Sequence, residues 1–432
     1  MHYHSLNNKH YKVTFRESVE QGLAPDSGLF FPDTITPLPD SFFDTIENRT
    51  NEDIAYEVIH QFTGEEITET GLREILSETL CFDFPLVKME ENIFALELFH
   101  GPTLAFKDVG ARFMSRCLAY FNKGTNKKIT VLVATSGDTG GAVANGFLGV
   151  ENTNVVILYP DSMVSDFQER QLTTLGQNIK AIAVKGTFDD CQAMVKKAFL
   201  DNDLKECHLT SANSINIARW LPQMFYFFFM YKELKKLNKP IILSCPSGNF
   251  GNICAGMMAK RLGLPIEHFI ASTNSNDTIP RFMTSGTYEP KTTVATISNA
   301  MDVSNPSNFV RIVNLYNNDL VKLKNDFSSY TFTDTATSIA MQEVFQKQKY
   351  CLDPHGAVGY LGLKKKCKEK PNSIGVFLET AHPIKFEETV KAIIGVDISI
   401  PVEIKGILNH EKVKQYCENY NDVKHILLEF KI

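Results

Sequence analysis

Short, continuous apolar runs alternate with helix-length stretches over most of this chain, and that alternation limits the folds open to it. Apolar runs without polar alternation are typical of strands that are covered on both faces. Strands separated by helix-length segments predict parallel sheets with crossover helices, and therefore an α/β fold whose ligands lie where strands end and Gly-rich loops begin. The runs occupy residues 129–134, 155–158, 181–184, 241–244, 268–271 and 374–378.

Two of the predicted strands lead into Gly-rich turns that precede helix-like stretches. The turns are Ser136-Gly137-Asp138-Thr139-Gly140-Gly141 and Ser247-Gly248-Asn249-Phe250-Gly251-Asn252. Such a turn exposes backbone N–H groups at a helix N-terminus, where the helix dipole favours an anion. The alternative is a tight turn that needs glycine only for its geometry. Neither turn has the spacing of a dinucleotide fingerprint or a P-loop, and two such turns indicate a ligand set with two separate anionic groups.

Lys107 and Thr380 are the two side chains outside these turns that carry candidate chemistry. Lys107 follows Phe106 in the segment 100–108. Partial burial would lower the pKa of this lysine below the ordinary value of about 10.4. An amine that attacks a carbonyl must first lose its proton, so a lowered pKa suits that role. Thr380 follows the run 374–378, at a strand end where its hydroxyl can face a central crevice. A surface lysine and a structural turn threonine are the alternatives.

The composition excludes several classes of protein. The chain has 432 residues, of which 43% are hydrophobic, enough for a large core and two or three domains or subdomains. Its formal net charge of -6 does not indicate a basic surface that would bind nucleic acid. The most apolar run, 224–230, is too short to span a bilayer and predicts part of a buried helix. Nine widely spaced cysteines without a CxxC pair, and an N-terminus unlike a signal peptide, predict reduced thiols in a cytoplasmic protein that holds no metal.

Six segments, taken in chain order, resemble the threonine synthases, a branch of the fold type II pyridoxal-phosphate enzyme family. They are residues 15–29, the lysine motif at 99–108, the loop 135–140, the NSxNxxR segment at 213–219, the loop 247–252 and Thr380-Ala381-His382-Pro383. The lysine motif and the N-terminal segment are specific to this branch, whereas the other loops recur in related dehydratases and synthases.

The resemblance implies an α/β fold with two open subdomains built on parallel sheets, plus an N-terminal α+β segment. We expect residues 1–90 to form the N-terminal segment and residues 91–400 to form the catalytic core. Within that core, the smaller and mobile subdomain would span about 125–210. Residues 401–432 would form a C-terminal segment.

The resemblance also implies a cofactor and a role for each site residue. The cofactor would be pyridoxal 5'-phosphate, joined to the catalytic Lys107 as a Schiff base, with Thr380 at its pyridine nitrogen. The other implied residues surround the cofactor phosphate (Gly248, Asn249, Phe250, Gly251 and Asn252), the substrate α-carboxylate and the phenolic side of the cofactor (Ser136, Gly137, Asp138 and Thr139), and the substrate phosphate (Asn213 and Arg219). Asp138 stands where other branches of the family carry Asn.

The reaction that the resemblance implies converts O-phospho-L-homoserine and water into L-threonine and phosphate, as the last step of threonine biosynthesis. It combines a γ-elimination with a β-hydration. A guanidinium binds phosphate through two parallel hydrogen bonds, which favours Arg219 as the group that binds the leaving phosphate. Two alternatives stay open: a serine or threonine dehydratase, which the Gly-rich loops alone permit, and a catalytically silent relative that acts as a binding protein. We expect a monomer or weak dimer whose partner is a small substrate, not nucleic acid or a membrane.

Overall fold

The computed structural model describes residues 1–125 and 127–429. The strands in these residues are β1 (His2–Ser5), β2 (Lys12–Thr14), β3 (Phe30–Pro32), β4 (Leu86–Glu90), β5 (Ile93–Glu97), β6 (Ile129–Ala134), β7 (Thr153–Pro160), β8 (Ile179–Val184), β9 (Leu209–Thr210), β10 (Ile241–Pro246), β11 (His268–Thr273), β12 (Phe327–Thr331), β13 (Ile374–Glu379) and β14 (Gln415–Cys417). The α-helices are α1 (Phe15–Gln21), α2 (Asp40–Thr45), α3 (Asn51–Thr63), α4 (Glu69–Thr79), α5 (Lys107–Asn122), α6 (Asp138–Phe147), α7 (Asp166–Thr173), α8 (Phe188–Leu200), α9 (Ile217–Trp220), α10 (Phe225–Leu234), α11 (Gly251–Arg261), α12 (Thr278–Ser285), α13 (Phe309–Leu315), α14 (Leu320–Asp326), α15 (Asp334–Gln348), α16 (Pro354–Cys367), α17 (Glu387–Ile394) and α18 (Tyr420–Glu429).

Two sheets form the framework of the fold outside the N-terminal segment. The larger sheet has the strand order β12-β11-β10-β13-β5-β4, and the smaller sheet has the order β14-β8-β7-β6-β9. Neighbouring strands in both sheets are parallel, except for the antiparallel pair β4 and β5. All six strands predicted from apolar runs are present, and β6, β10, β11 and β13 are buried at every residue, as strands covered on both faces must be. The prediction of an α/β fold with two parallel sheets is confirmed.

The N-terminal segment contains a third, antiparallel sheet, with the order β2-β1-β3. Arg311, which is fully buried, ties this segment to the core. Its guanidinium donates to the Phe30 carbonyl oxygen at 3.0 Å and to the Ile215 carbonyl oxygen at 2.7 Å, and it lies 4.3 Å from the centroid of the Trp220 ring. Because Ile215 and Trp220 flank the stretch that contains Arg219, the N-terminal segment helps to fix one of the predicted site segments.

The C-terminal residues extend the smaller sheet. β14 pairs in parallel with β8, and α18 packs against α8. The buried side chains of α18 belong to the same apolar cluster as those of α8 and as Ile182 and Val184 of β8. The predicted boundaries of the domains stay predictions, but the described part of the segment 401–432 adds a strand and a helix to the smaller α/β half.

The most apolar run of the sequence lies in the interior. Residues 225–230 fall within α10, and each of them is buried, as predicted. All nine cysteines are free thiols. Throughout residues 1–125 and 127–429, no helix is long and apolar enough to cross a membrane.

Candidate active site

Lys107 is the first residue of α5 and lies beside the carboxyl end of β13. Backbone hydrogen bonds hold the residues before it against the chain that leaves β13. The N–H of Phe106 donates to the Thr380 carbonyl oxygen at 2.9 Å, and the N–H of His382 donates to the Leu104 carbonyl oxygen at 3.0 Å. These contacts bring Lys107 and Thr380 together at the edge of a parallel sheet where α/β proteins bind ligands.

A buried carboxyl group fixes the loop that precedes Lys107. Asp108 accepts hydrogen bonds from the Thr103 N–H at 2.9 Å and from the Thr103 hydroxyl at 2.5 Å. Burial raises the pKa of Asp108, and the two Thr103 hydrogen bonds oppose that shift. A Cβ atom at Gly101 would lie 2.5 Å from an Asp108 oxygen, so the loop requires glycine there. The loop therefore holds the lysine in a defined position.

The Lys107 amine is mostly buried and lies among three charged groups. Its side chain is 18% exposed, and its Nζ is 3.7 Å from Asp138 Oδ2. Burial lowers the pKa of Lys107; the Asp138 carboxylate opposes this shift, while the positive charges of Lys385 and Arg219 add to it. The net effect is a pKa below the ordinary value, so this amine loses its proton more readily than a surface lysine does.

The first Gly-rich loop curls around the Thr135 hydroxyl. Thr135 Oγ1 accepts the N–H of Gly137 at 3.0 Å and the N–H of Gly140 at 2.9 Å. Gly137 has a φ of 138°, and a Cβ atom there would lie 2.5 Å from the side chain of Gln168. Ser136 and Thr139 are half-buried on this loop, whereas Asp138 is buried. The loop geometry places Asp138 at the start of α6, on the side of Lys107.

Asp138 is an ionised carboxylate in the interior. Its Oδ1 accepts a hydrogen bond from Gln168 Nε2 at 3.0 Å and lies 3.0 Å from Lys385 Nζ. Burial alone would raise the pKa of Asp138, but Lys385, Lys107 and the Gln168 hydrogen bond lower it well below the ordinary value. Asp138 was predicted as a substrate-binding residue on the phenolic side of the cofactor; the structure places it between two lysines.

The second Gly-rich loop follows β10, which is the neighbour of β13 in the larger sheet. Its backbone is tightly constrained, because Phe250 has a φ of 60° and a Cβ atom at Gly248 would lie 2.7 Å from Met301 Cα. α11 begins at Gly251, and no side chain of the described residues caps its first turn. The first N–H groups of α11 are therefore left for an anion.

The two asparagines of this loop have different surroundings. Asn249 Nδ2 donates to Ser214 Oγ at 2.8 Å, which ties the loop to the segment 213–219. Asn252 Oδ1 accepts the Tyr226 hydroxyl at 2.7 Å, whereas its buried Nδ2 has no acceptor among residues 1–125 and 127–429. A buried donor without an acceptor is costly, and an anionic ligand at the start of α11 would supply one.

The segment 213–219 borders both loops. Asn213 Nδ2 donates to the Ala134 carbonyl oxygen at 3.1 Å, at the carboxyl end of β6. Arg219 is 3% exposed and donates from one terminal nitrogen to the Ala212 carbonyl oxygen. Its buried Nε has no partner in the described part of the chain. Burial lowers the pKa of Arg219 to about 10, which leaves a full positive charge near neutral pH.

Three buried side chains beside the predicted residues are absent from the sequence prediction: Gln168, Gln171 and Lys385. Gln168 and Gln171 lie on α7, and Lys385 lies in the 3₁₀ turn Pro383–Phe386 that follows β13. The one sequence signal was the closeness of Lys385 to the Thr380 motif. A lysine in a turn is ordinarily solvated, so its burial cannot be derived from the sequence.

The site fits pyridoxal phosphate. An aldehyde requires an uncharged amine, which the lowered pKa of Lys107 favours. A phosphate requires N–H donors, which the start of α11 and Asn252 Nδ2 leave open. Thr380 is buried directly beside the lysine loop, where a hydroxyl can meet a ring nitrogen.

Comparisons with known proteins agree with this geometry. Residues 79–378 match the pyridoxal-phosphate dependent enzymes, residues 2–80 match the threonine synthase N terminus, and residues 356–427 match the threonine synthase C-terminal region. A threonine synthase of Haemophilus influenzae is 46% identical over 410 residues, which cover 93% of each chain. This chain belongs to the threonine synthases. Members of this family are pyridoxal-phosphate dependent lyases, so pyridoxal phosphate is the cofactor.

Solved structures of other threonine synthases have the same fold. The enzyme from Escherichia coli has a TM-score of 0.93 at 40% identity and covers 100% of both chains. The pyridoxal-phosphate-bound enzyme from Brucella melitensis has a TM-score of 0.92 at 33% identity and covers 100% of this chain and 99% of that chain. The fold type II architecture that the sequence implies is confirmed.

Proposed function

We propose that this chain converts O-phospho-L-homoserine and water into L-threonine and inorganic phosphate, with pyridoxal phosphate bound through Lys107. The observation that carries the proposal is the Lys107 amine. It is mostly buried, lies 3.7 Å from Asp138, and stands at the same sheet edge as the second Gly-rich loop. Membership of the threonine synthases supports this choice of substrate and product.

Three parts of the chain would hold the cofactor. Lys107 would bind its aldehyde carbon, and the N–H groups of residues 248–252 would bind its phosphate. The Thr380 hydroxyl would form a hydrogen bond with its pyridine nitrogen. Pyridoxal phosphate, when bound, withdraws electrons from the substrate and so acidifies the C–H bonds beside the amino group. A neutral hydroxyl such as that of Thr380 does not hold a ring nitrogen in its protonated state, as a carboxylate would.

Lys107 Nζ would carry the protons of the reaction. Its lowered pKa makes the proton of this amine easier to remove, so Lys107 can take the protons from the substrate Cα and then Cβ, and return one at Cγ after phosphate has left. Asp138 stays ionised and accepts hydrogen bonds only, which leaves proton transfer to the lysine. Asn213 and the loop 136–139 would orient the substrate.

Arg219 would bind the phosphate group of the substrate as it leaves. We expect Arg219→Lys to lower kcat/KM for O-phospho-L-homoserine by about 10²-fold. A lysine keeps the charge but loses the planar pair of donors that binds phosphate through two hydrogen bonds. The affinity for pyridoxal phosphate should not change, because Arg219 is not assigned to the cofactor. Steady-state kinetics and a cofactor titration measure the two quantities.

Arg116→Lys is the matched control for this substitution. Arg116 also donates to a carbonyl oxygen, that of Gly146, but its other partners are Ser115 Oγ and the exposed Glu78. We expect its kcat/KM to equal that of the unmodified enzyme. Equal kcat/KM values for Arg219→Lys and Arg116→Lys would remove Arg219 from the phosphate site.

The proposed function is tested by incubating the purified protein and pyridoxal phosphate with O-phospho-L-homoserine, and assaying both L-threonine and inorganic phosphate. We expect the two products in equal amounts. Formation of a 2-oxo acid from L-threonine, without phosphate release from phosphohomoserine, would identify a dehydratase instead. Borohydride reduction followed by peptide mapping should place the cofactor on Lys107, and a label on any other lysine would contradict the assignment.

The remaining expectations extend this proposal. We also propose that the domains span residues 1–90, 91–400 and 401–432. The enzyme would be cytoplasmic and would work as a monomer or weak dimer. Nine free cysteines support a reducing compartment, because thiols at such positions persist where disulfides do not form. A small phosphorylated amino acid is the expected partner.

A further inference from the structure

Lys385 is a buried ammonium whose hydrogen-bonding capacity is fully used within the chain. Its side chain is 0% exposed, and its Nζ lies 3.0 Å from Asp138 Oδ1. The same nitrogen donates to the Thr103 carbonyl oxygen at 2.8 Å and to Gln171 Oε1 at 2.9 Å. An ammonium has three N–H donors, so none is left for a ligand. Lys385 therefore acts through other residues.

The two oxygens of Asp138 have different neighbours. Oδ1 receives Lys385 and the Gln168 amide, each at 3.0 Å. Oδ2 lies 3.7 Å from Lys107 Nζ, which is longer than a hydrogen bond. The carboxylate is thus closer to Lys385 than to Lys107.

We propose that Lys385 is a positioning residue that binds Asp138 and thereby makes the Lys107 amine easier to deprotonate and readier to react with an aldehyde. A carboxylate facing Lys107 alone would form an ordinary ion pair and hold that amine in its charged form. Lys385 opposes this attraction by placing a second positive charge on the far side of the same carboxylate. This inference rests on the proposed role of Lys107.

The charges that face Lys107 agree with a positioning role for Lys385. Asp138 at the start of α6 is the negative group, while Lys385 in the turn after β13 and Arg219 on α9 are the positive groups that lower its pKa. Gln168 and Gln171 on α7 are neutral, so they orient charges without adding any. Of the named cations, Lys385 is in direct contact with Asp138.

The turn that carries Lys385 also joins the two halves of the catalytic core. Its side chain reaches Asp138 and Gln171 of the smaller-sheet half from a turn at the end of the larger sheet. In addition, Ser165, the N-cap of α7, donates from its hydroxyl to the Lys385 carbonyl oxygen at 3.2 Å. Lys385 is thus held at both its backbone and its ammonium, so the position of its charge relative to Lys107 is fixed.

The test measures the titration of the Lys107 amine in the full-length protein after the cofactor has been removed. Trace acetic anhydride acylates only uncharged amines, and mass spectrometry of the peptide that contains Lys107 reports its reactivity at each pH. We expect the Lys385→Met substitution to move the Lys107 titration curve to higher pH by about one unit, which lowers the reactivity about tenfold at each pH where the amine is mostly charged in both proteins. Lys412→Met is the matched control, because Lys412 pairs with Asp166 and Glu169 on α7 away from the site. It should leave the Lys107 titration unchanged.

Two more variants keep the test decisive if Lys385→Met does not fold. Asp138→Asn removes the attracting charge and should raise the reactivity of Lys107. The double variant Asp138→Asn with Lys385→Met buries neither charge, and its Lys107 should be less reactive than in Asp138→Asn alone. Superimposable Lys107 titration curves with and without Lys385, in either background, would overturn the proposal. Because the readout needs no cofactor, that failure is distinct from a borohydride label on another lysine.

Discussion

Lys107→Ala is expected to lower the rate of phosphate release from O-phospho-L-homoserine by at least about 10³-fold, the range in which a lost general base falls. The substitution removes the amine that would bind the cofactor and carry the protons. Steady-state assay of inorganic phosphate, with saturating pyridoxal phosphate, measures the loss. Addition of a small primary amine should restore part of the rate, since it supplies an unattached base to the space left by the side chain.

Lys123→Ala is the matched control at the other end of the same helix. Lys123 is the residue that follows α5, and it is exposed. Its replacement removes an equal charge without touching the site, so turnover should match that of the unmodified enzyme. A Lys107→Ala protein that folds and retains more than about one tenth of the rate would show that another group is the base.

The interior of the fold is predictable from the sequence because burial on both faces demands continuous apolar residues. β6 and β13 meet that demand, and both were predicted. β12 was not, since this edge strand reads Phe-Ser-Ser-Tyr-Thr and only Phe327 is fully buried. β14 is equally polar and becomes a strand only because β8 offers it an unpaired edge. Edge strands depend on the sheet they join more than on their own pattern.

The candidate site divides in the same way. Lys107 and the two Gly-rich loops are local motifs, each complete within one short stretch of sequence. Lys385 is not, because its burial follows from the packing of α7 against the turn after β13. The pairing of Asp138 with two lysines likewise arises from contacts between distant segments. Local sequence therefore predicts the candidate residues of the site, while the charge states of those residues depend on tertiary contacts.

Glu379 is an example of such a charge state, and its replacement should change stability strongly. It ends β13, is fully buried, and neither of its oxygens has a donor among the described residues. Two other acids act on its charge: Asp353, which caps α16, and Glu97, its register partner in β5. Burial, then Asp353 and Glu97, raise the pKa of Glu379 well above the ordinary value. A proton on Glu379 supplies the donor that this group of acids otherwise lacks.

The neighbouring His355 donates a hydrogen bond to Asp353 and not to Glu379, which indicates that Glu379 holds the proton. His355 Nε2 accepts the Ala300 N–H at 3.2 Å, so its other nitrogen, 2.5 Å from Asp353 Oδ1, is the donor. Asp353 is also the acceptor for the N–H groups of His355 and Gly356 at the start of α16. Asp353 therefore accepts three hydrogen bonds, whereas Glu379 accepts none from the described residues. The proton therefore belongs on Glu379.

The pH dependence of stability follows from this assignment. In the unfolded chain Glu379 loses its proton near pH 4.3, whereas in the folded chain it keeps the proton at higher pH. Above about pH 4.3 the unfolded state binds fewer protons at this position, so the free energy of unfolding falls as pH rises, by about 1.4 kcal/mol for each pH unit until the raised pKa is reached. Glu379→Gln keeps the shape and a donor but does not titrate, so it should be more stable than the unmodified protein at pH 8 and nearly equal to it near pH 4.5.

Denaturant unfolding of the two proteins from pH 4.5 to pH 8 measures this difference directly. The difference in the free energy of unfolding between Glu379→Gln and the unmodified protein isolates the titration of Glu379, because the other titrating side chains are common to both proteins. Glu91→Gln, at an exposed position beside β5, is the matched control and should give no pH-dependent difference. Parallel stability curves for Glu379→Gln and the unmodified protein would mean that Glu379 is ionised in the fold. In that case the buried charge of Glu379 would have to be balanced by a cation.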